Sequence, residues 1–329
     1  MLRFISPAPM MPEKEIRSPH TVSLPSHRAA LLMNLGAVLA WSLAPPMIHS
    51  FTESFSVNFQ NAFRYMVSLL LLWPAFFLTE EHGLLRVHVS LLRKKAKYIA
   101  VIALANYAFQ VCYTYSLFLL APSLMSLLNQ TQVVFGVFFA VIFFRDERAF
   151  VVRPMFLAGL LAALAGVVFV VVGRKKLDAR GFTIGILVIV TSAACWALLG
   201  SSLRKWVANV PPLLSICSVF TVVTPLFVAT YAVTHRGFLM PHASVEQWLM
   251  LTASGLISIG LGHSLFYRSV GTLGVSVSTS IGLLGPLFTC LISYVAFGDD
   301  LSVVQMVGAA ILLVGCYLIV HVRFTMRST

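Results

Sequence analysis

The sequence predicts an all-α polytopic membrane protein, with ten transmembrane helices arranged as two inverted five-helix repeats. Three observations lead there. Of the 329 residues, 59% are hydrophobic and only 10% are charged, whereas soluble domains carry about a quarter of charged residues. Ten apolar spans follow one another, each near the ~20 residues that a helix needs to cross ~30 Å of hydrocarbon. Features of the first five spans recur in the second five, 153 residues later at the acidic junction that ends the fourth and ninth.

Taken in order, residues 1–28 hold Pro7, Pro9, Pro12, Pro19 and Pro25, with no apolar segment ahead of a small-residue cleavage site. They read as a flexible cytoplasmic tail without a signal peptide. The spans are predicted at 29–49, 56–78, 98–119, 122–144, 154–173, 182–203, 211–233, 246–267, 273–297 and 302–321, and 322–329 form a second cytoplasmic tail. The tightest join lies between the third and fourth spans, at Ala121-Pro122.

Loop charges set orientation, since Lys and Arg accumulate on the cytoplasmic side. With the N-terminus inside, that side receives 17 of the 23 basic residues and the outside 5, Arg64 being the remaining one. Arg174-Lys175-Lys176 is a local violation of the rule. The formal net charge of +12 comes from short loops and builds no continuous basic face, so it speaks for topology and against a nucleic-acid partner. Cys112, Cys195, Cys217, Cys290 and Cys316 all lie in apolar spans without CxxC spacing, as small buried hydrophobes do.

The repeat divides the chain into 29–173 and 182–321. Phe143-Phe144-Arg145-Asp146-Glu147 and Ala296-Phe297-Gly298-Asp299-Asp300 each end a span. Each is followed by a helix with two glycines seven apart, Gly159 and Gly166 in one half and Gly308 and Gly315 in the other. Trp41 and Trp196 mark the same place in the first helix of each half. Five is odd, so the halves must face opposite ways across the membrane. Inverted repeats are an architecture of secondary transporters, with the substrate site near the midplane where the halves meet.

These residues resemble the drug/metabolite transporter superfamily, specifically its EamA type with ten helices. The resemblance is carried by Ala40-Trp41-Ser42, Arg64-Tyr65, the acidic ends Asp146-Glu147 and Asp299-Asp300, the run from Gly282 to Asp300, and the closing GAAILLVG. It covers roughly residues 29–321. What it implies is a bundle of two inverted five-helix repeats, both termini cytoplasmic, in a plasma membrane that is most often the bacterial inner membrane. It also implies a proline in the fourth helix of each half. Pro286 fills that position in the second half, but Val133 stands at the corresponding place in the first, beside Gln130 and Gln132. Side-chain amides are expected there in place of bent backbone.

Candidate substrate-binding or gating residues come from polar groups at membrane depth. Arg64 is a permanent cation inside an apolar span, and all eleven acidic residues fall outside the spans or at their ends. A guanidinium in hydrocarbon costs at least ~2.5–3.5 kcal/mol, which makes it a functional candidate by default. An anionic visitor, backbone carbonyls or lipid phosphate must answer it, and about eight residues into its helix it also lies within snorkelling range of the interface. Gln60, Asn61 and Arg64 share one helical face, Asn106, Gln110 and Tyr113 share another, and Asn129 and Gln130 cluster in the fourth span. These faces should point at one another, as a wet cavity or as interhelical hydrogen-bond glue. His263 and Tyr267, four apart, form the second half's polar pair, and the histidine either carries protons or packs. Trp41 and Trp196 either stack on a planar substrate or pack.

The sequence lacks GxxxxGK[ST], so nothing in it marks an ATP-driven motor. No cofactor, metal set or paired carboxylate is predicted, and no enzymatic activity. The expected function is secondary transport of a small polar metabolite by alternating access, an amino acid or related compound moving outward. The alternative is uptake or exchange of S-adenosylmethionine or a nucleotide-like zwitterion, and an intramembrane lipid-handling protein or enzyme is a third class. The expected partners are the small-molecule substrate, the lipid bilayer, and a coupling proton or counter-substrate, with the chain a monomer or homodimer.

Overall fold

The computed structural model describes residues 25–78, 85–144, 152–173, 179–207, 210–235, 237 and 240–325. The described elements are all helical. Arg145-Asp146-Glu147, Arg174-Lys175-Lys176 and most of the predicted N-terminal tail lie outside the described residues.

Helix α1 spans His27–Ser42, two residues earlier than the apolar run suggests, because the Ser26 hydroxyl accepts the Ala29 N–H at 3.3 Å and caps it. After Leu43 the chain re-enters helix as α2, Ala44–Ser50, whose first turn holds Pro45 and Pro46. Proline tolerates a first turn, where its missing N–H would have had no partner. Helix α3 covers Val57–Leu78, and α4 covers Leu85–Ser116. The latter extends beyond the predicted third span at its N-terminal end and stops three residues short at the other. Its last residue meets a turn over 117–121, ahead of Pro122.

The fourth span is divided into α5 (Pro122–Leu128), a 3-10 turn (Asn129–Thr131) and α6 (Gln132–Phe143). It is followed by α7 (Pro154–Val172), α8 (Ala179–Trp206) and α9 (Pro212–Thr234). The eighth span starts with α10 (Val245–Ser254), which Ser244 and Gln247 close with a reciprocal capping box. It continues through a π-helical segment, Gly255–Leu261, into α11, Gly262–Gly282. After a turn at Leu283-Leu284 come α12 (Gly285–Phe297) and α13 (Val303–Thr325). Helix α13 therefore carries four residues that the sequence reading gave to the C-terminal tail.

Nine helical stretches among the described residues are long and apolar enough to cross a membrane. The other predicted span lies in α4, where Asn106 and Gln110 dilute the apolar content. Although α11 is continuous by its hydrogen bonds, the chain reverses within it. The Thr272 hydroxyl meets the Pro25 carbonyl at 3.3 Å, Gly262 lies against Trp41, and Gly285 is back beside Val38 and Ser42. The polypeptide thus runs along α1 to its N-terminal end and returns, making two passes.

One expectation about the fourth helices is corrected. Both are interrupted at corresponding heights, Asn129–Thr131 in the first half and Leu283-Leu284 in the second. The α-helical backbone is therefore interrupted in the first half without a proline.

The helices pack in pairs that exchange under the repeat: α1 with α11 and α4 with α8, while α3 pairs with α9 and α7 with α13. The α7–α13 seam is the closest. A Cβ on Gly315 would come 2.4 Å from the Ala163 nitrogen, so only glycine lets these backbones approach so far. At one end of the bundle the halves are tied together by polar contacts. The Asp299 carboxylate accepts the Ser123 N–H at 3.1 Å, and the Ser302 hydroxyl donates to the Gly173 carbonyl at 2.6 Å. The His49 ring lies edge-on to Phe297, 5.5 Å away. All seven residues of α5 are buried there, whereas in α6 only Ala140 is.

Candidate functional site

Four elements meet at the middle of α3. The face carrying Gln60, Asn61, Arg64 and Ser68 is fully buried, with Arg64 at 1% exposure. Across from it, α4 presents Asn106, Gln110 and Thr114, four residues apart and so on one side of the helix. Thr114 donates to the Asn61 Oδ1 at 2.7 Å, and Gln110 Nε2 lies 3.4 Å from the same oxygen. In return the Asn61 amide donates to the Gln110 carbonyl at 3.4 Å. One turn along, the Tyr65 hydroxyl donates to Asn106 Oδ1 at 2.9 Å. These bonds satisfy amides that would be costly in lipid.

Arg64 turns the other way, towards the second half. Its Nη2 donates to the Ser258 Oγ at 3.2 Å, and the Ser258 hydroxyl itself donates to the Ser254 carbonyl, which leaves its oxygen free to accept. The approach depends on Gly255, where a Cβ would come 2.8 Å from the Arg64 carbonyl oxygen. The Arg64 Nε and Nη1 are buried without a hydrogen-bond partner, as are the Gln60 Oε1 and the Ser254 Oγ. No carboxylate among the described residues pairs with the guanidinium. The snorkelling reading is therefore corrected for Arg64: it is buried inside the protein and held by a buried serine of the other repeat.

The remaining candidates separate. Gln60 donates to the Phe55 carbonyl at 3.0 Å, close to an aromatic wall in which Phe55, Phe59 and Phe63 each lie edge-on to Trp248 at 5.1–5.6 Å. No hydrogen bond joins Asn129 or Gln130 to Asn61, Arg64 or Gln110 among the described residues. Asn129 Oδ1 is buried without a partner, and the Gln130 carbonyl faces the Cys316 thiol at 3.8 Å. The expectation that the fourth span answers α3 is thus corrected: the π segment answers it. Tyr113 packs on Phe109 at 5.5 Å, and Trp196 on the same ring at 4.8 Å.

His263 is not hydrogen-bonded to Tyr267; their rings lie 6.3 Å apart. Its Nδ1 lies 2.8 Å from the Ile259 carbonyl, and its ring stands edge-on to Trp41 and Phe220, each at 5.3 Å. Trp41 Nε1 is buried over Gly262 without a partner.

Thr114, Ser254 and Ser258 are members of the buried group that the sequence reading left out. Thr114 follows Gln110 by four and could have been found by that spacing. The serines stand in Ser254-Gly255-Leu256-Ile257-Ser258, where flanking glycine and apolar residues signal close packing and nothing more. The described residues contain no group of three His, Cys, Asp or Glu able to hold a metal ion. Such an arrangement can bind a polar or charged group but offers no nucleophile with an adjacent base.

Comparison with known proteins agrees with the fold. A solved structure described only as the crystal structure of a protein superposes with a TM-score of 0.61 at 21% identity, over 89% of this chain and 96% of that one. An uncharacterized transporter from Haemophilus influenzae is 23% identical over 184 residues, 56% of this chain and 60% of its own length. One from Archaeoglobus fulgidus is 28% identical over 138 residues, 41% of this chain and 47% of its own. The uncharacterized transporter YyaM of Bacillus subtilis is 23% identical over 159 residues, 48% of this chain and 52% of its own. The matched regions thus span about half to three-fifths of these relatives' lengths. The EamA-like transporter family is matched twice, over residues 28–172 and 183–321, one copy for each half. The chain belongs to the EamA-like transporter family.

Proposed function

We propose that the protein is a secondary transporter that moves a small polar metabolite of the amino-acid class by alternating access of its two halves, outward from the cytoplasm of a bacterial cell, with both termini inside. The observation that carries this reading is the Arg64–Ser258 contact. It joins the polar face of the first family unit to the second unit at a fully buried position, which is where inverted-repeat transporters hold substrate. Binding without chemistry suits a group of amides, hydroxyls and one guanidinium, and the same group gives no support to an enzymatic role. The outward ends of the halves, tied through Asp299 and Ser123, are the gate that is closed in this conformation. Opening it exchanges those contacts for water while the other end closes.

Reconstitution tests the proposal. Full-length protein in liposomes should show saturable uptake or counterflow of at least one compound from a panel of labelled amino acids, nucleotides and S-adenosylmethionine, with and without a pH gradient. Uptake equal to that of protein-free liposomes for the whole panel would remove the reading.

A further inference from the structure

Arg64 keeps most of its hydrogen-bonding capacity unused. A guanidinium carries five N–H donors in one plane. Nη2 serves Ser258, while Nε and Nη1 have no partner and no access to solvent. Whichever Nη2 hydrogen Ser258 takes, one complete two-donor edge of the fork stays free. A cation this deeply buried, without a carboxylate beside it, is the arrangement that strongly destabilises a protein at rest. Structural arginines in membranes pair with charges or carbonyls; this one is held by a single hydroxyl oxygen.

We infer that the free edge of Arg64 is a receptor for the carboxylate of the transported metabolite, which supplies the counter-charge that the chain lacks. A planar, two-oxygen anion matches two parallel N–H donors, and a guanidinium recognises it by geometry as well as by charge. Ser258 acts as a positioning residue: its hydroxyl points to the Ser254 carbonyl and turns its oxygen to Nη2, which fixes the rotation of the fork. This inference rests on the transport reading for the word substrate, but anion binding itself can be measured without flux.

The test is thermal unfolding of the purified full chain in phosphatidylcholine nanodiscs, at constant ionic strength. The added anions are acetate, pyruvate, succinate, glutamate or inorganic phosphate. At least one carboxylate should raise Tm in a concentration-dependent way. The rise should vanish in Arg64→Met, and Arg64→Lys should weaken the apparent affinity ~10-fold or more, because the point charge remains but the fork is lost. Without added anion, Arg64→Met should be at least as thermostable as the wild type, since an apolar side chain of similar length removes an uncompensated charge. Ser258→Asp, which installs a resident carboxylate, should raise Tm and abolish the response to added anions.

No response of the wild type to any carboxylate would overturn the inference, as would a response that survives in Arg64→Met. Stabilisation by phosphate alone would overturn the carboxylate class. If the rise appears only in nanodiscs containing phosphatidylglycerol, the counter-charge is a lipid and the soluble ligand is excluded. Flux without anion stabilisation would refute the receptor and keep the transporter. Anion stabilisation without flux for any compound would do the reverse.

Discussion

Gly255 in the second half lies directly on the backbone of Arg64 in the first, so that a Cβ there would come 2.8 Å from the Arg64 carbonyl oxygen and 3.0 Å from its Cα. Neither atom can move aside without shifting α3. Gly255→Ala should therefore push α3 and the π segment apart, lower stability by ~1–3 kcal/mol as overpacking does, and break the Arg64–Ser258 bond. Gly200→Ala is the control, because its added carbon meets nothing within 4 Å. Thermal unfolding of the two variants should separate them; equal stability would mean that the two halves do not meet at this point.

The α7–α13 seam gives a second prediction of the same kind. A methyl at Gly315 would come 2.4 Å from the Ala163 nitrogen and 2.6 Å from the Gly159 carbonyl oxygen. Gly315→Ala should cost more than Gly255→Ala, since backbone blocks it in two directions. Denaturant titration in mild detergent measures this, and a variant as stable as the wild type would show that the seam is looser than described.

Much of this arrangement was legible from the residues. Apolar lengths gave the passes, and the four-residue spacing of Gln60 with Arg64, and of Asn106 with Gln110, gave the buried polar faces of α3 and α4. The partner of Arg64 was not legible. A π-helical segment carries an extra residue per turn and rotates Ser258 away from the place that 3.6-residue periodicity assigns it. The 3-10 turn at Asn129–Thr131 is wound more tightly than an α-helix, and among the described residues no hydrogen bond joins the Asn129 or Gln130 side chain to α3. Irregular turns of this sort leave no periodic trace in sequence, and the glycines beside them read equally well as packing.

His263 offers a test of proton coupling. Its Nδ1 is engaged by the Ile259 carbonyl and its ring is enclosed by Trp41 and Phe220, with Tyr267 too far to share a proton. Such a site suits a packing histidine. His263→Gln should leave unchanged whatever pH-gradient dependence the wild-type flux has, while lowering Tm through loss of the ring contacts. Flux that becomes insensitive to the gradient in His263→Gln would make the histidine the coupling residue.

Topology can be checked with single cysteines, because the native thiols lie within the spans and can be replaced as a set. Lys94 and His242 are suitable positions. Both are exposed, and His242 avoids removing the Ser244 hydroxyl that caps α10. Five passes separate them, the third to the seventh, so they must lie on opposite sides of the membrane whichever way the chain is inserted. The bias of Lys and Arg predicts that Lys94 is inside. A membrane-impermeant maleimide should therefore label His242→Cys in intact cells and Lys94→Cys only after permeabilisation. The inverse pattern would reverse the orientation and leave the repeat intact. Labelling of both from the same side would require an even number of passes between them, and the inversion of the two halves would then fail.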